Sequence, residues 1–348
     1  MSGEPAALVG AHAPDWEQRS RLSKTNRADN QNGRSRRSIP ESRKRPLTDC
    51  DGISLRKEVL DHDHLNRDHV DRPISWNGAI TQFRDYIRDK EDVQSVFENT
   101  VGDCIQGNKP HRFHPEYSSK QYAKLKDLER GISEAYGKRL YTAMLTFTAS
   151  STDDSGNPLP PVDHLDGLLE SWDAIRRSLD RVFDENRYER VAILEPHKSG
   201  YIHIHMAVFV DGIVTSTQFE PVIESHVNNC DLAGWTAHDL DEDDTISVRH
   251  AGADRQPGYN HALAEGIEHD SDQLAEIAIY LAEYLGVFDA DPLDTPEHIQ
   301  AANSVLWATN RQRWRPSNGA QQYMATNPRD PDSDWQLVGI ETNDEFIP

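Results

Sequence analysis

The stretch 188–210 limits the folds open to this chain more than any other part of the sequence. It consists of two apolar runs, Tyr188–Glu195 and Tyr201–Val210, separated by the polar loop Pro196–Gly200. Such an arrangement is typical of two antiparallel strands joined by a hairpin loop. In the second run every even-numbered residue from 202 to 210 is apolar. These side chains share one face of the strand, which predicts a sheet packed on a hydrophobic core.

The opposite face of the second run carries His203 and His205. If the connecting loop is symmetric, Ile193 pairs with His203, and Glu195 lies diagonally beside it on the histidine face. Two imidazoles about 7 Å apart along a strand, with a carboxylate beside them, can bind one divalent ion and leave coordination positions open. His197 is a rival third ligand, but it lies in the loop, so Glu195 is preferred. The alternative is a pair of surface histidines on a half-buried strand.

The elements on either side of this hairpin predict an α+β fold. Hydrophobic periodicity predicts strands at 140–149 and 245–249, and helices at 163–183, 219–229 and 270–285. Asp270 and Gln273 form a variant of the capping box at the start of the last helix. The order strand, helix, strand, strand, helix, strand, helix predicts a ferredoxin-like antiparallel sheet with helices on one face.

The flanking regions divide the chain further. Residues 1–70 are rich in Ser, Asn, Arg and Asp and lack a sustained hydrophobic period, which predicts a disordered tail. Helical patterns follow at 76–97 and 117–136, with a connector at 102–115. We therefore expect a tail (1–70), a helical lead-in (71–136), a main domain (137–290) and a C-terminal extension (291–348).

The composition is strongly acidic. The net charge is −22, the acidic residues are spread over the chain, and no lysine follows Lys198. This pattern is typical of proteins adapted to very high salt, although an ordinary acidic protein is the alternative. Strong salt screens phosphate attraction, so a negative net charge does not exclude DNA binding. The sequence has no apolar run long enough to cross a bilayer, which predicts a cytoplasmic protein without membrane contact.

Two tyrosines stand out in the predicted helix 270–285. Tyr280 and Tyr284 are four residues apart, so their hydroxyls project side by side. They could simply be amphipathic residues at a helix margin. Next to a metal site, however, a phenol could attack a phosphodiester, because the metal would stabilise the developing charge.

A third candidate region contains Arg311, Arg313 and Trp314. Guanidinium and indole groups in this mixture suit contacts with the phosphates and bases of single-stranded DNA. The alternative is a solvated turn closed by Pro316. The chain has no phosphate-binding loop of the G-x-x-x-x-G-K-[ST] type, so we do not expect it to unwind DNA with ATP.

Together these motifs resemble those of a known superfamily. His203-Ile204-His205 resembles the His-hydrophobic-His motif of the HUH endonucleases, and Leu145–Thr148 resembles their first motif. Tyr280 and Tyr284 match the two-tyrosine motif of the rolling-circle replication initiators in that superfamily. The run from 122 to 319 is similar to initiators of haloarchaeal plasmids and pleolipoviruses.

The resemblance implies a replication initiator that nicks one strand at an origin, forms a 5′-phosphotyrosyl link, leaves a 3′-hydroxyl primer and later rejoins the displaced strand. It implies Mg²⁺ or Mn²⁺ as the cofactor, bound by the predicted histidines and glutamate, with the two tyrosines as nucleophiles. The implied partners are DNA (an origin hairpin or single strand), which Thr146, Thr148 and Lys198 are expected to contact, and a host helicase and polymerase.

One feature departs from the pattern of many relatives, which carry a lysine three residues after a catalytic tyrosine. Here these positions hold Glu283 and Val287, so Lys198 or an arginine would have to substitute. The alternatives are a transposase or relaxase of the same superfamily, or a non-catalytic DNA-binding protein.

Overall fold

The structure is a computed structural model that describes residues 75–91, 93–108, 110–240, 245–251, 291–324, 334–341 and 346–347. The helices are α1 (Trp76–Glu91), α2 (Pro115–Tyr136), α3 (Pro161–Glu170), α4 (Trp172–Val182), α5 (Glu220–Val227), α6 (Glu297–Ala308) and α7 (Asn318–Tyr323). The strands are β1 (Gln94–Glu98), β2 (Cys104–Asn108), β3 (Leu140–Phe147), β4 (Tyr188–Pro196), β5 (Ile202–Asp211), β6 (Ile246–His250), β7 (Trp314–Pro316), β8 (Gln336–Glu341) and β9 (Phe346–Ile347). None of the helices in these ranges combines the length and the hydropathy needed to span a membrane.

The predicted hairpin is present as β4 and β5, near the centre of the larger of two sheets. This sheet has the order β6-β3-β5-β4-β7, and all its neighbouring strands are antiparallel. The smaller sheet has the order β2-β1-β8-β9. The prediction of an α+β fold with an antiparallel sheet is therefore confirmed. The strand β7 comes from the segment predicted as a C-terminal extension, and it pairs with β4.

Helices cover both faces of the central sheet, so the prediction of helices on one face is wrong. The even-numbered residues of β5 pack against α1, α3, α4, α5 and α6 in the first hydrophobic core. The opposite face packs against α2, mainly through Leu125, Leu128 and Ile132. The reason lies in the sequence of this opposite face, where Ala207 and Phe209 follow the histidines and are themselves apolar. A sheet that is apolar on both faces excludes water only if helices pack on both.

Two predicted helices have different bounds in the structure. The helix expected at 163–183 is two helices, α3 and α4, separated at Ser171. The helix expected at 76–97 ends at Glu91, because the following residues form β1. β1 pairs with β2, which lies in the segment predicted as a connector. β1 also pairs with β8, which lies more than 200 residues further along the chain, and this sheet pairing overrides the helical period of the segment.

The turn of the β4–β5 hairpin gives a different register from the predicted one. Pro196 pairs with Ile202, and the backbone N–H of His197 donates to the Tyr201 carbonyl at 2.7 Å. The turn closes when the Gly200 N–H donates to the His197 carbonyl at 2.8 Å. Every pair is therefore displaced by two residues from the prediction. A displacement of two residues keeps each side chain on its predicted face.

We expect Gly200→Ala to destabilise the protein more than Gly156→Ala. Both glycines have positive φ, 86° and 80°, so both alanines meet similar backbone strain of about 1–3 kcal/mol. A Cβ on Gly200 would also lie 3.1 Å from the Trp76 ring and 3.3 Å from the Cβ of Ala301, whereas a Cβ on Gly156 has open space. Crowding should add about 1 kcal/mol at Gly200. Chemical unfolding in molar KCl measures the difference, and equal losses would show that this turn is not held against Trp76.

Candidate functional site

Glu195, His203 and His205 converge at one end of the β4–β5 hairpin, on the sheet face that α2 covers further along. Glu195 lies directly opposite His203, and His205 follows two residues later on the same face. The centres of the two imidazole rings are 4.6 Å apart, with the planes at 81°. One ligand atom from each of the three side chains lies within 4.8 Å of the other two. Among the described residues, this is the group of three side chains that could hold a metal ion.

The carboxylate of this triad is charged and buried. Glu195 is 8% exposed, and its Oε2 atom lies 3.0 Å from Nε2 of His203 and in close contact with Nε2 of His205. Burial alone would raise the pKa of Glu195, but the two imidazoles outweigh it and lower the pKa to about 2. A negative charge is therefore held at this point at neutral pH.

The triad also contains polar atoms that lack well-angled hydrogen bonds. Within the described part of the chain, Oε2 of Glu195 and Nε2 of His203 are buried without a hydrogen-bond partner of acceptable geometry. Such atoms are rare in folded proteins, and a bound ion is one way of satisfying them. Two imidazole nitrogens and a carboxylate oxygen are also a donor set of the kind that binds divalent metals with positions left open. The residues present therefore fit a divalent cation.

Thr146 holds one of the two histidines in place. It pairs with His205 across β3 and β5, and its Oγ1 lies 3.2 Å from Nδ1 of His205. If the Nδ1–H group donates to the hydroxyl, the lone pair of Nε2 points toward Glu195. The sequence predicted a DNA contact for Thr146, whereas the structure places it beside the imidazole.

Buried histidines fix the chain just after β3, where Thr148 lies. The Thr148 N–H donates to Nε2 of His238 at 3.1 Å, and its carbonyl accepts from Nε2 of His226 at 2.8 Å. The next carbonyl, that of Ala149, accepts from Nε2 of His164 at 3.2 Å. All three imidazoles are at most 2% exposed. They come from separate segments, so spacing along the sequence gave no signal of this clamp.

The remaining predicted residues lie at different distances from the triad. Lys198 is exposed in the hairpin turn, next to His197, which is also exposed. The ring of His197 is centred 6.0 Å from that of His203, and His197 is not part of the triad. Tyr280 and Tyr284 lie outside the described residues.

The arginine and tryptophan candidates lie at the β7 edge of the central sheet. Arg311 forms an ion pair with Asp166 at 2.8 Å, and Arg313 donates to the side chain of Asn303. Trp314 lies in β7 directly opposite Ile193, which in turn lies opposite His205. The indole is therefore on the same sheet face as the triad, two strands away from His205.

Comparison with known proteins places this chain in a family. The family described as "Putative rep protein (DUF1424)" matches residues 44–347. The chain belongs to this family. It is 41% identical over 298 residues to an "Uncharacterized 36 kDa protein" of Halobacterium salinarum, covering 83% of this chain and 89% of that protein. It is 38% identical over 316 residues to a protein of the same description from Halobacterium sp. (strain GN101), covering 85% and 90%. No solved structure matches the chain.

The two relatives agree with one expectation from the sequence. Both come from Halobacterium, and the acidic composition of this chain is of the halophilic type. The family description likewise agrees with an expected role in replication.

The buried clamp should make stability depend on pH. Burial lowers the pKa of His226 to about 4, below the ordinary value of about 6.5 that it has in the unfolded chain. Between these values the unfolded state binds the extra proton, so stability falls as the pH drops from about 6.5 to about 4. The slope is at most about 1.4 kcal/mol per pH unit.

The variant His226→Gln keeps a donor for the Thr148 carbonyl but removes the titration. We expect it to reduce the difference in unfolding free energy between about pH 7 and about pH 5, measured by chemical unfolding in molar KCl. His164 keeps its own contribution in both proteins, and the comparison measures the titration of His226 together with its electrostatic coupling to the neighbouring His238. An unchanged pH slope in the variant would contradict the assignment.

Proposed function

We propose that this chain is a replication initiator that nicks one strand of DNA through a tyrosine nucleophile assisted by a divalent metal. The observation that carries the proposal is the convergence of Glu195, His203 and His205 on one sheet face, with buried ligand atoms lacking well-angled hydrogen bonds. Membership of the family described as "Putative rep protein" supports replication as the setting. The transposase and relaxase alternatives share this chemistry, but the family description favours replication.

In this proposal Glu195, His203 and His205 hold Mg²⁺ or Mn²⁺. The bound ion would withdraw charge from the scissile phosphodiester and stabilise the negative charge that develops at phosphorus. The protein contributes a rigid donor set, because the hairpin register fixes Glu195 opposite His203 and Thr146 orients His205. Three protein ligands would leave coordination positions open for phosphate oxygens.

Tyr280 and Tyr284 are the proposed nucleophiles, on the basis of their spacing and of the resemblance to two-tyrosine initiators. The phenolic oxygen forms a bond to phosphorus as the bond from phosphorus to the 3′ oxygen breaks. The proton of the phenol ends on the released 3′ hydroxyl, which serves as the primer. The phosphotyrosyl link replaces one phosphodiester with another ester of similar energy, so the second tyrosine can repeat the exchange and rejoin the strand without ATP.

Thr146 should affect metal affinity without being a ligand. We expect Thr146→Val, which has nearly the same shape, to weaken Mn²⁺ binding about tenfold or more, because His205 loses the partner of its Nδ1 atom. Thr146→Ser keeps the hydroxyl and should bind Mn²⁺ nearly as the natural protein does. Isothermal titration calorimetry measures both affinities, and equal losses in the two variants would show that only packing is involved.

A nicking assay tests the proposed function. Supercoiled plasmid carrying candidate origins is incubated with the full chain and Mn²⁺ in high salt, then scored for nicked circles and for protein attached to the 5′ end. We expect His203→Ala and His205→Ala to abolish cleavage, and His197→Ala, a neighbouring histidine outside the triad, to retain it.

The tyrosines are tested in the same assay. Tyr280→Phe and Tyr284→Phe should each retain part of the reaction, and the double variant should form no covalent adduct. Cleavage that persists unchanged in EDTA would contradict the metal, and an adduct in the double variant would place the nucleophile elsewhere. No cleavage by the natural chain at any origin would favour the non-catalytic DNA-binding alternative.

A further inference from the structure

A cleft lies at the β7 edge of the central sheet, between the start of α2 and the segment after α6. Its main lining residues are Arg112, Phe113, Tyr117, Gln121, Arg313 and Trp314, and we call it the Trp314 cleft. The sequence pattern identified Arg313 and Trp314 but not the residues from 112 to 121. These come from a part of the chain about 200 residues away, so only the fold brings them to Trp314.

The charge of the cleft differs from that of the chain. The net charge of the protein is −22, yet the described residues that line the cleft include Arg112, Arg311 and Arg313 and no Asp or Glu. Arg311 is paired with Asp166, which lies outside the lining. The cleft is therefore a cationic site on an acidic protein, and it is complementary to an anionic ligand.

One arginine that lines the cleft, Arg112, is held in a fixed position. Arg112 donates from Nη1 to the Arg311 carbonyl at 2.9 Å and from Nη2 to the Leu306 carbonyl at 2.6 Å. Its guanidinium carbon lies 4.8 Å from the centre of the Phe113 ring. These carbonyls and this ring orient the guanidinium before any ligand arrives. A preorganised charge beside aromatic rings suits a ligand that is both anionic and flat.

We propose that the Trp314 cleft binds one unstacked base of single-stranded DNA together with its phosphate. This inference rests on the proposed function, because the base belongs to the same strand that the triad would cut. The half-buried indole of Trp314 and ring of Tyr117 provide stacking surfaces, and the positive charges of Arg112 and Arg313 attract the phosphate.

The register of the sheet puts the cleft within reach of the triad. Trp314 lies opposite Ile193, and Ile193 lies opposite His205, so the three side chains form one row across neighbouring strands. With strands about 4.8 Å apart, the backbone of Trp314 is about 10 Å from that of His205. A single strand with its phosphate at the triad could therefore place a nearby base in the cleft.

High salt makes base stacking the more important part of this binding. In molar salt the attraction between arginine and phosphate is strongly screened. Stacking between a base and an aromatic ring does not depend on charge and remains available. An aromatic site of this kind therefore suits the binding of single-stranded DNA in high salt.

The test compares two oligonucleotides of equal charge, about twelve nucleotides long. One is oligothymidine, and the other has abasic residues throughout. Binding is measured by fluorescence anisotropy with the full chain in molar KCl and EDTA, so no cleavage contributes. We expect the natural protein to prefer the oligothymidine by about tenfold. Trp314→Leu and Tyr117→Leu, on two different elements, should each reduce that preference.

Trp235→Leu is the matched control, because Trp235 is 47% exposed and does not line the cleft. It should keep the full preference for bases. Circular dichroism identifies any variant that fails to fold. Two aromatic variants are used so that the test still stands if one of them does not fold. The proposal is overturned if Trp314→Leu and Tyr117→Leu, both folded, retain the preference of the natural protein, or if the natural protein shows none.

The outcome is separable from that of the nicking assay. Base preference that is lost in the cleft variants supports the cleft even if the natural chain never cleaves DNA. Cleavage without a base preference would support the proposed function and overturn the cleft.

Discussion

The structure depends on a buried carboxylate, Glu195, placed between two imidazoles. A charge removed from water is unfavourable unless other groups compensate it. His203 and His205 lower the pKa of Glu195 to about 2, yet its Oε2 atom is left without a well-angled hydrogen bond. A divalent cation would compensate the charge and use the lone pairs of all three side chains. The fold maintains this arrangement because the hairpin register leaves Glu195 opposite His203.

One row of side chains across the sheet connects the proposed metal site with the proposed base-binding cleft. Thr146, His205, Ile193 and Trp314 are neighbours on four successive strands. Thr146 lies against His205, which would bind the metal, and Trp314 lines the cleft proposed to hold a base. A sheet is a rigid support, so these functions keep fixed distances from one another. Binding of the strand and positioning of its phosphate would then occur on one surface.

The sheet face shared by the triad was more predictable from the sequence than the register of the hairpin. Alternation by two identified the face shared by Glu195, His203 and His205, and the actual register, displaced by two residues, preserved that face. The β3, β4, β5 and β6 strands were likewise predictable from local patterns. Alternation does not determine which register the turn selects among those that keep each side chain on the same face. In the structure β4 ends at Pro196, one residue beyond the predicted end of the strand.

Other features depend on contacts that no local pattern contains. The helix α2 covers the second face of the sheet because Ala207 and Phe209 make that face apolar. The alternating pattern of β5 alone does not show this, because it marks only the first face as apolar. The hydrogen bonds of His226 and His238 to Thr148 join segments 78 and 90 residues apart. The Trp314 cleft likewise requires the fold to bring α2 to β7. The tyrosine helix remains a prediction from sequence, since it lies outside the described residues.

The central claim is that Glu195, His203 and His205 bind one divalent metal ion. Electron spin echo spectroscopy of Mn²⁺ added to the full chain tests this most directly, because it detects nitrogen atoms bonded to the metal. We expect couplings from two imidazoles in the natural protein, from one in His203→Ala and in His205→Ala, and weaker Mn²⁺ affinity in Glu195→Gln. Absence of nitrogen coupling, or couplings unchanged in both histidine variants, would contradict the claim.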